Sequence, residues 1–117
     1  MERRISVLRS HMLPEGSVAV KIVGGVPLLL ARSNGPVYAY VAVCPHRYYI
    51  LCPRKVEDGL LECPGHGERF KVDTGEPTRG LAGKPLTRVK VLESEGRIYI
   101  EADLEDLASK IARETSK

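Results

Sequence analysis

The sequence predicts an all-β domain of antiparallel hairpins, with an irregular insert in its middle and one α-helix at its C-terminal end. Three observations carry this expectation. Short β-branched and apolar runs recur between turns that contain Gly, Pro or Asn. Eleven Gly and eight Pro in 117 residues leave little room for long elements. The apolar period changes from two to 3.6 only after residue 103.

The elements follow in order. Residues 5–8 are short and strand-like. Residues 17–23 form a strand that stops at Gly24-Gly25, a hairpin signal, and residues 27–32 pair back. Ser33-Asn34-Gly35-Pro36 turns the chain. Residues 37–43 make a third strand, with Val37, Tyr38, Tyr40, Val41 and Val43 suited to a half-buried pleated surface. From Cys44 to about Phe70 the regularity is broken by Pro45, Pro53, Gly59, Pro64, Gly65 and Gly67; only residues 60–62 and 69–72 look extended. Residues 75–85 read as loop. Residues 86–92 and 97–102 form a second hairpin about Gly96, with Ile98 and Ile100 on one face. Asp103 N-caps a helix over about residues 103–115, with Glu105 and Asp106 in its first turn and Leu104, Leu107, Ala108 and Ile111 along one stripe. Packing on the domain's flank is the expected use of that stripe, and partner binding the alternative.

Composition limits the function classes. A chain of 117 residues is one domain's worth, and 43% apolar with 28% charged residues excludes wholesale disorder. The longest apolar stretch, residues 26–31, contains Pro27 and is far short of the roughly 20 residues that span a bilayer. Met1-Glu2-Arg3-Arg4 lacks the apolar core of a secretory signal, so the chain is expected to be soluble and cytoplasmic. A net charge of +3 without a basic, aromatic-interleaved stripe gives no support to nucleic-acid binding. A monomer is expected.

The chemistry lies in cysteine and histidine. Cys44-Pro45-His46 and Cys63-Pro64-Gly65-His66 are paired boxes separated by sixteen residues, while Cys52 and His11 stand outside them. An odd cysteine count argues for metal or redox chemistry over a disulfide framework. Two thiolates with two imidazoles suit tetrahedral zinc or a [2Fe-2S] cluster. A zinc finger draws both Cys from one knuckle and both His from another. Here each knuckle supplies one of each, which suits two irons, with Cys44 and Cys63 on the inner and His46 and His66 on the outer.

These boxes, of form C-x-H and C-x-x-H, resemble those of Rieske-type [2Fe-2S] ferredoxins. His66-Gly67, Phe70, Thr74-Gly75, Pro85-Leu86, Leu13-Pro14-Glu15-Gly16 and Val37-Tyr38-Ala39 add to the likeness, which spans about residues 5–102. The chain departs from the family at Tyr48, where Gly is common, at Gly65, where a bulky residue is common, and at Gly80-Leu81-Ala82, where the third loop is often Gly-Pro-Ala.

The resemblance implies a Rieske-like antiparallel β-sandwich or partial barrel. A cluster-binding subdomain would occupy about residues 44–70 of a single domain over 1–117. One [2Fe-2S] cluster per chain would be held by Cys44, His46, Cys63 and His66. High-potential relatives join their cluster loops by a disulfide at positions that here are Tyr49 and Gly65, and their hydroxyl donors would fall near Glu68 and Phe70. Lacking both, the centre is expected at the low end of the Rieske range. The resemblance thus implies a non-catalytic one-electron carrier between a reductase and an oxygenase or other terminal enzyme, with Arg47, Tyr48 and Tyr49 at the contact rim. The alternatives are a small subunit of a stable, nitrite-reductase-like complex and a structural zinc module.

Overall fold

Eight strands and one helix are present in the computed structural model, which describes residues 3–42, 56, 58–62, 69–76, 78 and 86–115. The strands are β1 (Arg3–Arg9), β2 (Val18–Val23), β3 (Val26–Arg32), β4 (Val37–Val41), β5 (Leu60–Glu62), β6 (Arg69–Lys71), β7 (Arg88–Ser94) and β8 (Arg97–Ala102); α1 is Leu104–Thr115. The expected β2–β3–β4 meander and β7–β8 hairpin are joined into one six-stranded antiparallel sheet, in the order β1-β8-β7-β4-β3-β2. β5 and β6 form a separate two-stranded sheet.

β1 is longer than its local pattern suggests because it pairs with β8 from Arg3↔Ala102 to Arg9↔Arg97. Its register slips between Ser6 and Leu8. That irregularity turns Val7 out of the ladder, and its carbonyl accepts a hydrogen bond from Lys21 Nζ on β2 at 3.2 Å. This bond bridges the two edge strands, β1 and β2, of a sheet that curls into a nearly closed barrel.

Two apolar clusters fill the two faces of this sheet. Inside the barrel lie Leu28, Leu30, Ala39, Val41, Val89, Ile98 and Ile100, all buried. Leu13, with 0% exposure, packs into the same cluster near the end of β3 that holds Arg32. At the opposite end, by the β2–β3 turn, Leu104 and Leu107 of α1 pack against it. Leu104 Cδ1 comes so close to Gly24 that a Cβ there would sit 2.8 Å away. Leu104 and Leu107 of the expected stripe are thus used on the domain's own flank, whereas Ala108 is exposed and the side chain of Ile111 lies outside the described ones. Asp103 caps the helix as the sequence predicts, its Oδ1 accepting from Asp106 N at 3.1 Å.

The second cluster lies on the outer face and contains Leu29, Ala31, Tyr40, Ala42, Leu61, Phe70, Val72 and Leu86. It corrects the expectation that the third strand is half-buried: Ala39, Tyr40 and Val41 are all buried, because the β5–β6 hairpin covers the face that a lone barrel would leave wet. The unbroken run Leu28-Leu29-Leu30-Ala31 on β3 has the same cause.

An ion pair ties the far end of the barrel. Arg32 donates to Leu13 O and Gly35 O, each at 2.6 Å, and to both carboxylate oxygens of Glu93, at 3.1 and 2.6 Å. The Arg32 hydrogen bond holds the Glu93 carboxyl below its ordinary 4.5. Its contribution is therefore fully present above that value and is lost as pH falls through the lower value of the folded state. Glu93→Gln should cost about 1 kcal/mol at neutral pH, discounted for partial exposure. Urea unfolding should show the gap to wild type closing as pH drops below 4.5; a gap that is constant down to acid pH would contradict this role.

Candidate metal centre

Cys44, His46, Cys63 and His66 lie outside the described residues, as do Cys52, Arg47, Tyr48 and Tyr49. The structure does fix the segments that lead into and out of each box. On the first side, β4 runs to Val41 and continues to Ala42, whose N–H donates to Pro27 O at 2.9 Å. Ala42 is fully buried, and Cys44 is two residues further on. On the second side, β5 and β6 pair as Leu60↔Lys71, Leu61↔Phe70 and Glu62↔Arg69. Cys63 directly follows β5, and residues 63–68 connect it to β6.

Both approaches stand on the same apolar cluster. Ala42 from the first, and Leu61, Phe70 and Val72 from the second, belong to the outer-face core. Phe70 and Leu61 are 1% and 2% exposed. A dry foundation of this kind holds down the local dielectric, one of the levers on the potential of an iron–sulfur centre. The Glu62–Arg69 pair at 3.1 Å sits beside the hairpin connection with both side chains more than half exposed, so it adds little to stability.

Directional contacts pin the hairpin. Tyr40 on β4 donates its hydroxyl to Val72 O at 2.6 Å in a buried setting. Burial pushes the Tyr40 phenol up to about 12, so it stays a donor across the physiological range. Leu86 N–H donates to Gly75 O at 2.8 Å, and Val56 N–H to Gly16 O at 2.9 Å. Gly75 adopts φ +78°, and a Cβ there would lie 2.8 Å from Tyr40 Cε1 and 3.3 Å from Leu86 O. The sequence marks Tyr40 only as one of several residues suited to a half-buried strand, and Gly75 only as the start of a loop and part of the likeness. The signal for Tyr40 was its parity with Tyr38 and Ala42, which puts an apolar row on the face opposite Ala39 and Val41.

His11 sits in the exposed 3₁₀ turn Ser10–Met12, at the end of the barrel away from the β2–β3 turn. Among the described residues no three His, Cys, Asp or Glu side chains are grouped to hold a metal ion, and no helix is long and apolar enough to cross a membrane.

Residues 3–95 match the family model described as the Rieske [2Fe-2S] domain. The chain belongs to the Rieske family. Its cofactor is the [2Fe-2S] cluster, and the two-thiolate, two-imidazole donor set suits that group. The Rieske match stops at residue 95, before β8 and α1. The chain is similar to the ferredoxin CarAc of Metapseudomonas resinovorans, with 32% identity over 94 residues, 80% of this chain and 88% of that protein. It is also similar to the ferredoxin component of the alkene monooxygenase system of Xanthobacter autotrophicus, with 35% identity over 70% of this chain and 78% of that one. Among solved structures, the ferredoxin of carbazole 1,9a-dioxygenase from Nocardioides aromaticivorans IC177 superposes with a TM-score of 0.73 at 27% identity, covering 83% of this chain and 95% of that one. These Rieske relatives are ferredoxins of comparable length that carry electrons and are not themselves catalytic. The alternatives of a subunit in a nitrite-reductase-like complex and of a zinc module are not favoured.

Two glycine substitutions in the same hairpin test how tightly it is held. Gly75→Ala combines left-handed strain with a clash against buried Tyr40 and should cost about 3 kcal/mol. Gly59→Ala, at φ +74° with nothing within 4 Å of its Cβ, should cost about 1 kcal/mol. Denaturant unfolding that gave equal costs would show that the Tyr40–Gly75 contact is loose.

Proposed function

We propose that this Rieske protein is a cytoplasmic one-electron carrier that takes electrons from a reductase and delivers them to the terminal component of an oxygenase system. In this reading Cys44 and Cys63 hold the inner iron and His46 and His66 the outer one. The chain is one domain over 1–117, with a cluster-binding part over about 44–70 and the helix over about 103–115. The observation that carries it is the shared foundation of the two boxes. Ala42 and Leu61 lie in one buried cluster, and each is two residues from a box cysteine. A tether of two residues reaches at most about 7 Å, so both thiolates are confined near the same patch of the outer face.

The cluster, when bound, supplies one reversible electron. With neutral imidazoles its charge passes from zero to −1, an easier step in a dry site than the −2 to −3 of a four-cysteine centre. The protein's part is to keep the base of the site apolar through Leu61, Phe70 and Ala42 and to hold the two approaches together. Phe70 is buried and brings no hydroxyl toward the cluster sulfurs. Tyr49 and Gly65 preclude the loop-joining disulfide of high-potential relatives. Both features favour a midpoint at the low end, about −150 to 0 mV.

Anaerobic titration of the purified protein tests this. It should show two irons and one electron per chain, and the midpoint just given. Replacing any one of Cys44, His46, Cys63 or His66 should abolish the chromophore, whereas Cys52→Ser should keep it. Iron-free protein, a chromophore that survives loss of either histidine, or a midpoint above about 200 mV would overturn the reading.

A further inference from the structure

We propose that Tyr40 is the positioning residue that keeps the second Cys–His box in register with the first; this rests on the ligand assignment above. The β5–β6 hairpin that carries Cys63 and His66 between its strands has only three residues in each strand. A two-stranded ribbon so short has no independent stability in water. It is held to the barrel by Leu61, Phe70 and Val72. Apolar burial is non-directional: it keeps the hairpin on the sheet without fixing where along β4 it sits.

One buried side-chain contact adds that direction, alongside the backbone bond from Leu86 N–H to Gly75 O. The Tyr40 hydroxyl donates to Val72 O at 2.6 Å, and among the described residues this is the only side-chain hydrogen bond between the six-stranded sheet and the hairpin segment. Its two ends are placed to matter. Tyr40 lies on the strand that leads to the first box, four residues before Cys44, and Val72 lies six residues after His66. The ring is fully buried and packs so closely on Gly75 that a Cβ there would lie 2.8 Å from its Cε1. Val72 N–H is already committed to Gly59 O at 2.9 Å, so the turn is held through both of its backbone groups. Removing the hydroxyl would strip a buried carbonyl of its donor without changing the volume of the core, and the cost would fall on hairpin placement.

The test uses the cluster-loaded protein. Tyr40→Phe and Val89→Ala are compared with wild type for the rate of chromophore bleaching by an iron chelator and for the line width of the EPR spectrum of the reduced centre, and His66→Gln is checked for the presence of the chromophore. Val89 is buried inside the barrel, away from the hairpin, so its variant reports what general destabilisation does to the cluster. Tyr40→Phe should bleach about 5- to 10-fold faster than wild type and broaden the EPR lines. Val89→Ala, although at least as destabilised, should bleach at close to the wild-type rate. Incorporating 4-aminophenylalanine at position 40, which restores a donor, should restore slow bleaching. The proposal is overturned if Tyr40→Phe bleaches no faster than Val89→Ala or if the amine donor fails to rescue. Should His66→Gln keep its chromophore, the ligand assignment fails instead, and that result is read separately.

Discussion

The structure depends on the contact between the outer face of the barrel and the β5–β6 hairpin. Leu29, Ala31, Tyr40 and Ala42 supply one side; Leu61, Phe70 and Val72 supply the other. Without it the hairpin would be a short ribbon with no core of its own, and the second Cys–His box would have no fixed relation to the first. With it, two stretches of chain nineteen positions apart, ending at Ala42 and resuming with Leu61, share one buried surface. In the proposed reading the ligands come from two loops, and this contact anchors the segments that lead into both.

The barrel's role is to make that surface stiff. Its interior is filled by a separate cluster, its seam is bridged by Lys21 reaching Val7 O, and its far end is tied by Arg32 and Glu93. α1 packs over the other end through Leu104 and Leu107. A carrier of electrons gains from such stiffness, since a centre whose surroundings barely move needs little reorganisation when its charge changes. The helix lies outside the region shared with the family, yet it packs against the common barrel, and so it extends the fold's interior.

Much of this was legible in the sequence, for physical reasons that differ by element. The meander and the β7–β8 hairpin declared themselves through period-two patterning and turn glycines, which are local signals. Asp103 and the Leu104, Leu107 spacing announced α1 in the same way. The joining of β4 to β7 and of β1 to β8 was not legible, because strand partners far apart in sequence leave no local mark. The double burial of Tyr40 and Ala42 was hidden for a related reason: the covering layer comes from the stretch whose Pro and Gly residues mask its pattern. The two C-P-containing Cys–His boxes were the clearest sequence feature of all, since such boxes are rare by chance, and they lie outside the described residues. Their chemistry was readable even though their anchoring, through Phe70, Tyr40 and Gly75, required the fold.

The central claim is that two imidazoles from two different loops sit on one iron of a two-iron centre. Pulsed EPR of the reduced protein, grown with ¹⁵N-labelled histidine, addresses it most directly. The account predicts hyperfine couplings to two histidine nitrogens, and loss of the whole signal when either His46 or His66 is replaced. A reduced centre coupled to one histidine nitrogen or to none would contradict it.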